Sequence, residues 1–272
     1  MSRVRVETPL PGVTRIVLAR AEARNAQDVR MLYDLNDAFD AATADDACKV
    51  VVLSADGPHF SSGHDLRDTE PMSSFSPVST CGGFDLPGME GFVAKEREIY
   101  FDLCWRWRNL SKPTIAQVQG KTIAGGLMLV WVCDLVVAAE DATFADPVVA
   151  FGVNGVEYFA HPWELGARRA KEMLFTGEPV TAREAQQLGM VNRVVPTADL
   201  EAETLRLAGT IAGKPTFGLK LAKEAVNQAQ EAQGLWTAMR AAFGLHGLAH
   251  AHNKLEFGMP MDPSGLDPKY RP

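Results

Sequence analysis

The sequence predicts an α/β core followed by a helical C-terminal region. Three observations carry this reading. Short, almost wholly apolar runs such as Val50-Val51-Val52-Leu53 read as strands buried on both faces of a sheet. Each run passes through small residues into a stretch of helical periodicity, so strand and helix alternate. After Gly152 the strand signal thins and helical patterns take over. With 272 residues, 46% hydrophobic and 22% charged, the chain can bury a sizeable core. It contains no internal repeat.

Val4 to Glu7 and Val13 to Ala19 alternate apolar and polar around Pro9-Leu10-Pro11-Gly12, which predicts a β-hairpin. Asn25 is placed to cap a helix running to about Thr43, its apolar face formed by Val29, Leu32, Leu35, Ala38 and Phe39. The strand at Val50–Leu53 follows. From Thr69 to Gly91 the composition shifts to Ser, Pro and Gly; so long an irregular segment reads as a mobile cover over a ligand site. A helix from Phe92 to Leu110 stops at Lys112-Pro113. Thr114–Gln119 is a strand, Gly125–Cys133 a helix and Leu135–Ala139 a strand. Thr181-Ala182-Arg183-Glu184 is a capping box opening a helix that ends at Gly189. Helical patterns cover 197–212, 216–231 and 234–253, and the proline-rich tail from Met259 to Pro272 is expected to be extended. The division is therefore an α/β core over 1–195 and a helical region with its tail over 196–272.

A net charge of −7 provides no basic field for nucleic acid or an anionic membrane. Cys48, Cys81, Cys104 and Cys133 are scattered without metal-ligand spacing, which suits a reduced, cytoplasmic setting. The N-terminus lacks the apolar run of a signal peptide, and the longest apolar run, Ile123 to Ala139, is interrupted by Asp134.

Two separated segments carry chemistry: His59-Phe60-Ser61-Ser62-Gly63-His64-Asp65-Leu66 and Val118-Gln119-Gly120-Lys121-Thr122-Ile123-Ala124-Gly125-Gly126. Each puts small residues where a strand gives way to a loop or helix, so each can offer a bare backbone N–H. Two such donors aimed at one point form an oxyanion hole, which stabilises charge developing on a carbonyl oxygen. The pairing points to an enzyme acting on a thioester.

These segments, with the continuation to Pro147 and the stretch FTGEPVTAREAQQLGMVNRVV, resemble the enoyl-CoA hydratase/isomerase (crotonase) superfamily in the same order from Val4 to Lys223. The resemblance implies a spiral of β-β-α turns and a C-terminal helical region used for trimerisation, often as a dimer of trimers. It implies acyl-CoA thioester substrates, with no metal or redox cofactor. It assigns the oxyanion donors to the N–H groups of His64 and Gly125, with Gly63, Asp65, Met128 and Val148 around the substrate. Arg24, and more weakly Arg67, are the cations it suggests for the nucleotide end of CoA.

Where the family's hydratases carry two glutamates, this chain has Met128 and Val148. Neither side chain can move a proton, so ordinary hydration loses both acid/base groups. Candidate replacements are Glu157 first and His161 second, with Asp146, two residues before Val148, on the same side if the segment is extended. Other reactions of the same enolate remain open, namely double-bond isomerisation or carbon–carbon hydrolysis, as does acyl-CoA binding without turnover. The apolar residues at 128 and 148 favour bulky or apolar acyl groups.

Competing signals are weaker. Gly120-Lys121-Thr122 ends like a phosphate loop, but the required first glycine falls at Ile115. No serine-hydrolase elbow or dinucleotide fingerprint occurs. His246 and His250 sit one helical turn apart, yet the sequence places no carboxylate or cysteine cluster beside them, so no metal site is expected.

Overall fold

In the computed structural model, residues 2–265 are described. The predicted hairpin is β1 (Val4–Leu10) and β2 (Val13–Leu18), and the first long helix is α1 (Val29–Ala44). β3 (Val50–Ala55) extends the predicted strand by Ser54 and Ala55. A helical segment follows as α2 (Met89–Glu96), a π-helical turn (Arg97–Asp102) and α3 (Leu103–Arg108). Next come β4 (Thr114–Val118), β5 (Lys121–Ile123), α4 (Gly125–Trp131), β6 (Leu135–Ala139) and β7 (Thr143–Ala145). The chain continues through α5 (His161–Thr176), β8 (Val180–Thr181), α6 (Ala182–Leu188) and β9 (Arg193–Val195). Three helices close it: α7 (Leu200–Ala212), α8 (Thr216–Ala232) and α9 (Leu235–Phe257).

The strands form a six-stranded sheet, β1-β2-β3-β4-β6-β9, and a smaller one, β5-β7-β8. Beyond the antiparallel β1/β2 hairpin, every neighbour in the large sheet is parallel. The turns β4-β5-α4 and β6-β7-α5 repeat one motion: a strand of the large sheet, a short strand of the small one, then a helix. This stacking is the spiral that the resemblance leads one to expect. One face of the large sheet packs on α1, α3 and α4, with Phe39, Trp107 and Leu127 fully buried. The other face is covered by α7, whose Leu200, Ala208 and Ala212 meet Val50, Val52, Ile115 and Val137. Both faces are dry, which explains the unbroken apolar composition of β3. No helix among the described residues is long and apolar enough to cross a membrane.

Two local expectations are corrected. Asn25 does not cap α1; the cap is Asp28, whose carboxylate accepts from the Met31 N–H. Asn25 instead adopts a left-handed backbone (φ 52°), and its amide bonds the carbonyls of Asp56 and His59. It staples the 20–25 loop to the segment that leads to Gly63. The 69–91 segment is not a free cover either. Buried Glu98 accepts from the N–H groups of Val78 (2.7 Å) and Ser79 (2.8 Å) and from the Tyr33 hydroxyl (2.8 Å). Phe75 stacks on Tyr33 at 4.6 Å, and Met72 is buried. Serine, proline and glycine gave this loop its irregular path, but one buried carboxylate ties it down. Of the expected tail, Met259–Met261 bend and Pro263–Gly265 form a 3-10 turn, so this part is not extended, and 266–272 lie outside the described residues.

Candidate active site

The spiral brings the two glycine-rich segments together. β3 and β4 run parallel and in register, so the chain leaving each emerges on the same side. Ser61, after β3, pairs with Thr122 in β5, and Gln27 pairs with His64. The Gln27 pairing uses the Gly63 carbonyl (2.8 Å) and the Asp65 N–H (2.9 Å). In a parallel ladder the N–H of the residue between them, His64, faces the opposite side. Ala124 then turns the chain from β5 into α4 with φ 47° and ψ −117°, a conformation costing a side-chain-bearing residue about 1–3 kcal/mol. Strain of this kind is tolerated where the surroundings fix the chain, and here Ala124 N–H is held by the Ala145 carbonyl at 2.8 Å. Gly125 is the first residue of α4, so its N–H has no acceptor within the helix. A Cβ on Gly63 would lie 3.2 Å from that nitrogen and 2.8 Å from the Ile123 carbonyl oxygen. The glycine permits the close approach.

These segments border a cavity of about 560 Å³, whose wall includes His64, Tyr100, Ala124, Val148, Val156 and Glu157. The His64 ring stacks on Tyr100 with centroids 3.7 Å apart, and its Nε2 lies 3.7 Å from Glu157 Oε2. Glu157 is 2% exposed. Its other oxygen is 3.5 Å from His246 Nε2, which in turn lies 2.8 Å from His250 Nε2. Glu96, also at the cavity, approaches His250 Nε2 at 3.4 Å and His246 Nε2 at 3.8 Å.

The charges of this cluster settle one another. Burial alone would raise the Glu157 carboxyl, but His64 and His246 bring it down to about 2. Burial would lower His246, but Glu157 and then Glu96 raise it to about 9. Burial, with Glu157 adding to it, drives Glu96 well above the usual carboxylate range. Burial pushes His64 down against the pull of Glu157, and burial with the His246 charge pushes His250 down. The arrangement favours an imidazolium at His246 facing a carboxylate at Glu157, while burial works against charge on Glu96, His64 and His250. A folded-state value raised from 6.5 to about 9 makes His246 stabilising below 6.5 and removes that contribution as pH rises through 9. The contribution is on the order of 3 kcal/mol. Glu96, raised by burial, acts in the same direction, its contribution falling as pH rises above the ordinary carboxyl value. The expected result is a melting temperature that falls between pH 6.5 and 9, with the fall reduced in His246→Gln. Calorimetry across that range checks it.

The predicted site residues divide. Glu157 and Val148 reach the cavity wall together with His64 and Asp65. Asp146 and His161 are fully buried and bind each other, Asp146 Oδ2 to His161 Nε2 at 2.7 Å. Asp146 also accepts from the N–H of Val156 at 3.0 Å, so the pair holds the loop that carries Glu157. Neither residue belongs to the cavity wall, which gives them a structural place. Asp146→Ala is expected to cost about 3–5 kcal/mol of stability by orphaning a buried histidine and a backbone donor. Denaturant unfolding measures that loss. Met128 is buried beneath this loop, its sulfur accepting from Tyr158 N–H at 3.5 Å, and does not line the cavity.

Arg24 is exposed, with φ 54°, and its carbonyl accepts from the Ser62 N–H, placing it beside the Gly63 segment. Arg67 is 75% exposed and 3.6 Å from Asp65, whose carboxylate is engaged by Arg20 at 2.8 Å. Sequence reasoning missed Tyr100, Glu96 and the approach of His246 and His250. The four-residue spacing of the histidines was visible, but the carboxylate beside them comes from a helix 150 residues earlier, a distance no local pattern can bridge.

Comparison with known proteins agrees with this architecture. Residues 10–264 match the enoyl-CoA hydratase/isomerase family. The Mycobacterium tuberculosis protein bearing the name enoyl-CoA hydratase EchA13 is 45% identical over 269 residues, covering 94% of this chain and 85% of its own. The human mitochondrial enoyl-CoA hydratase domain-containing protein 3 is 36% identical over 231 residues, 79% of this chain and 69% of that one. A crystal structure described as a probable enoyl-CoA hydratase of Mycobacterium smegmatis superposes with a TM-score of 0.88 at 42% identity, covering 96% of this chain and all of the other. One from Mycobacterium thermoresistibile gives 0.87 at 44% identity, with coverages of 95% and 99%. The spiral, the touching glycine-rich segments and these matches together make the chain an enzyme of the enoyl-CoA hydratase/isomerase family.

Proposed function

We propose that the chain binds an acyl-CoA with its thioester oxygen between the N–H groups of His64 and Gly125, and that Glu157 carries protons to and from the resulting enolate. The observation that carries this is the Glu157 carboxylate, buried at the cavity wall and 3.7 Å from the ring of His64. In the forward step Glu157 takes a proton from the carbon beside the thioester. The C–H electron pair becomes the enolate, and its negative charge rests on the oxygen between the two N–H groups. The proton then returns from Glu157 to a carbon of the enolate, leaving the enzyme unchanged. A single carboxylate that accepts at one carbon and delivers at another suffices for a double-bond shift.

Glu157 also occupies a telling place. Its neighbour Tyr158 covers Met128, one of the two positions where the family's hydratases hold an acid. The loop thus brings a carboxylate close to where helix α4 lacks one. With Met128 and Val148 unable to orient water, hydration of crotonyl-CoA is expected to be at least about a hundredfold below ordinary enzyme turnover. Absorbance of the enoyl thioester measures it. Deuterium incorporation beside the carbonyl of butyryl- and octanoyl-CoA in D2O tests the reading directly, because it reports enolate formation whatever reaction follows. Saturable exchange is the result that supports the assignment; thioester binding without exchange would reduce the protein to an acyl-CoA-binding member.

The acyl-CoA is held without a further cofactor in this scheme, and Arg24 and Arg67 are proposed to meet its nucleotide end. Assembly as a homotrimer or dimer of trimers fits the exposed Phe217, Leu221 and Val226 of α8 and Leu248 and Leu255 of α9. Light scattering at three or six times the 29.6 kDa chain mass is the expected result.

A further inference from the structure

We infer that His246 and His250 act as one unit, sharing a single extra proton between their Nε2 atoms, and that this cationic pair positions Glu157 as a carboxylate for the proton transfer proposed above. The hydrogen count follows from the partners. His246 Nδ1 faces the Gly155 carbonyl at 2.8 Å, and His250 Nδ1 faces the Pro260 carbonyl at 2.5 Å. A carbonyl oxygen can only accept, so both Nδ1 atoms carry hydrogen. If both rings were neutral, both Nε2 atoms would present lone pairs to each other at 2.8 Å. That contact is repulsive unless a proton lies between them. Two rings with three protons carry one positive charge.

The surroundings are arranged for that charge. The 4-residue spacing on α9 puts both rings on one face, and neither is more than 5% exposed. Glu157, from the loop before α5, faces His246 on one side, and Glu96, from α2, lies 3.4 Å from the other ring. Other titratable groups around the cluster are His64, Tyr100, Asp65, Asp68 and Lys95 on the cavity wall, Cys104 near Glu157 and Asp146 near His64. Phe92 closes on His250 edge-on at 4.9 Å, and Phe243 lies parallel to His246 at 6.4 Å, so water is largely excluded. A buried carboxylate in such a setting would take up a proton unless a cation faced it. The pair supplies the cation, and the backbone bonds from Gly155 and Pro260 fix its direction. His246 and His250 are in this sense positioning residues: they touch Glu157 and set its charge.

A divalent ion could also lie between two such nitrogens. The 2.8 Å separation argues for the proton, since two nitrogens on a tetrahedral ion at about 2.0–2.1 Å stand farther apart.

Side-chain ¹⁵N spectra of the intact, uniformly labelled protein count the protons without reference to any substrate. At pH 7 the expected result is protonation at both Nδ1 atoms and one proton shared by the two Nε2 atoms. Two protons in total, or one tightly held Zn²⁺ or Co²⁺ per chain with both Nε2 atoms bare, overturns the inference. The positioning role is read from the pH dependence of deuterium exchange into octanoyl-CoA. His246→Gln keeps a neutral donor but no charge, so the acid limb of the profile is expected to move up by at least about one pH unit. KM is expected to change less than about threefold. If His246→Gln does not fold, His250→Gln is measured in its place, with the same shift expected because the shared proton loses its second nitrogen. A folded variant with an unmoved profile refutes the role. Should the wild type show no exchange at all, the proposed reaction fails, and the proton count still decides the pair.

Discussion

Gly125→Ala is expected to lower enolate formation by at least about a hundredfold while leaving the fold intact, the scale of losing one oxyanion donor. A Cβ at this position would stand 2.4 Å from both Cδ2 and Nε2 of His64 and 3.0 Å from the Gln27 side-chain oxygen. The His64 ring has little freedom to yield, because Tyr100 stacks on it at 3.7 Å and the Glu157 carboxylate lies at its tip. Either the ring leaves the cavity wall or α4 shifts its first residue. A shift of α4 displaces the Gly125 N–H itself, and loss of the ring from the wall removes the side chain that packs against that N–H. Stability is expected to change less than activity, since the methyl group meets a side chain at the cavity rather than packed backbone. Gly126→Ala is the contrast: its Cβ would meet the Ser61 carbonyl oxygen at 2.8 Å, so the cost falls on the fold. Gly244→Ala, in the interior of α9 with nothing within 4 Å, is expected to be neutral or stabilising by about 0.5–1 kcal/mol. Deuterium exchange and thermal melts on the three variants separate the cases. Wild-type exchange in a folded Gly125→Ala protein would remove Gly125 from the proposed oxyanion hole.

Much of this architecture was legible in the chain because it rests on local rules. Val50–Leu53 and Leu135–Ala139 are apolar on both faces, and the sheet they enter is covered by helices on both faces. The Thr181 half of the capping box forms as read, its hydroxyl accepting from the Glu184 N–H at 3.2 Å, while the Glu184 carboxylate accepts from Arg169 instead. The short strands β5, β7 and β8 were not legible, because two or three residues are too few to show a period. Asn25 misled for a related reason. A side chain suited to capping is equally suited to bridging loops, and only the position of Asp56 and His59 decides between them.

The site divides along the same line. Gly63 and Gly125 could be found from sequence because close backbone approach demands a residue type. The environment of Glu157 could not. Its surroundings come from three places far apart in the chain: His64, Glu96 and the turn of α9 that carries His246 and His250. Asp146 shows the converse. It sits near Val148 in sequence, as a replacement acid might, yet its oxygens are spent on His161 and the backbone of 148 and 156. Proximity along a strand gave it the right address and the wrong orientation.

Glu157→Gln is expected to have the largest effect on chemistry, a fall of about 10²–10⁴-fold in exchange at the carbon beside the thioester. The amide fills the same volume and can bond to His64 and His246, so the cavity keeps its shape. It cannot accept a proton at neutral pH. Affinity for octanoyl-CoA is therefore expected to stay within a few-fold of wild type, as titration calorimetry would show. Stability is a separate matter. The substitution removes the charge that faces His246, so the histidine pair should release its extra proton at lower pH than in the parent. Asp146→Asn sorts the two candidate acids. It weakens the bond to His161 and so lowers the melting temperature, but molecules that remain folded should exchange at a rate near the parent's. If Glu157→Gln retained full exchange while Asp146→Asn abolished it in the folded state, the acid assignment would pass to Asp146. The loop from Pro147 to Ala160 would then have to open for catalysis, because the structure seals that carboxylate behind Val156 and beneath the ring of His161.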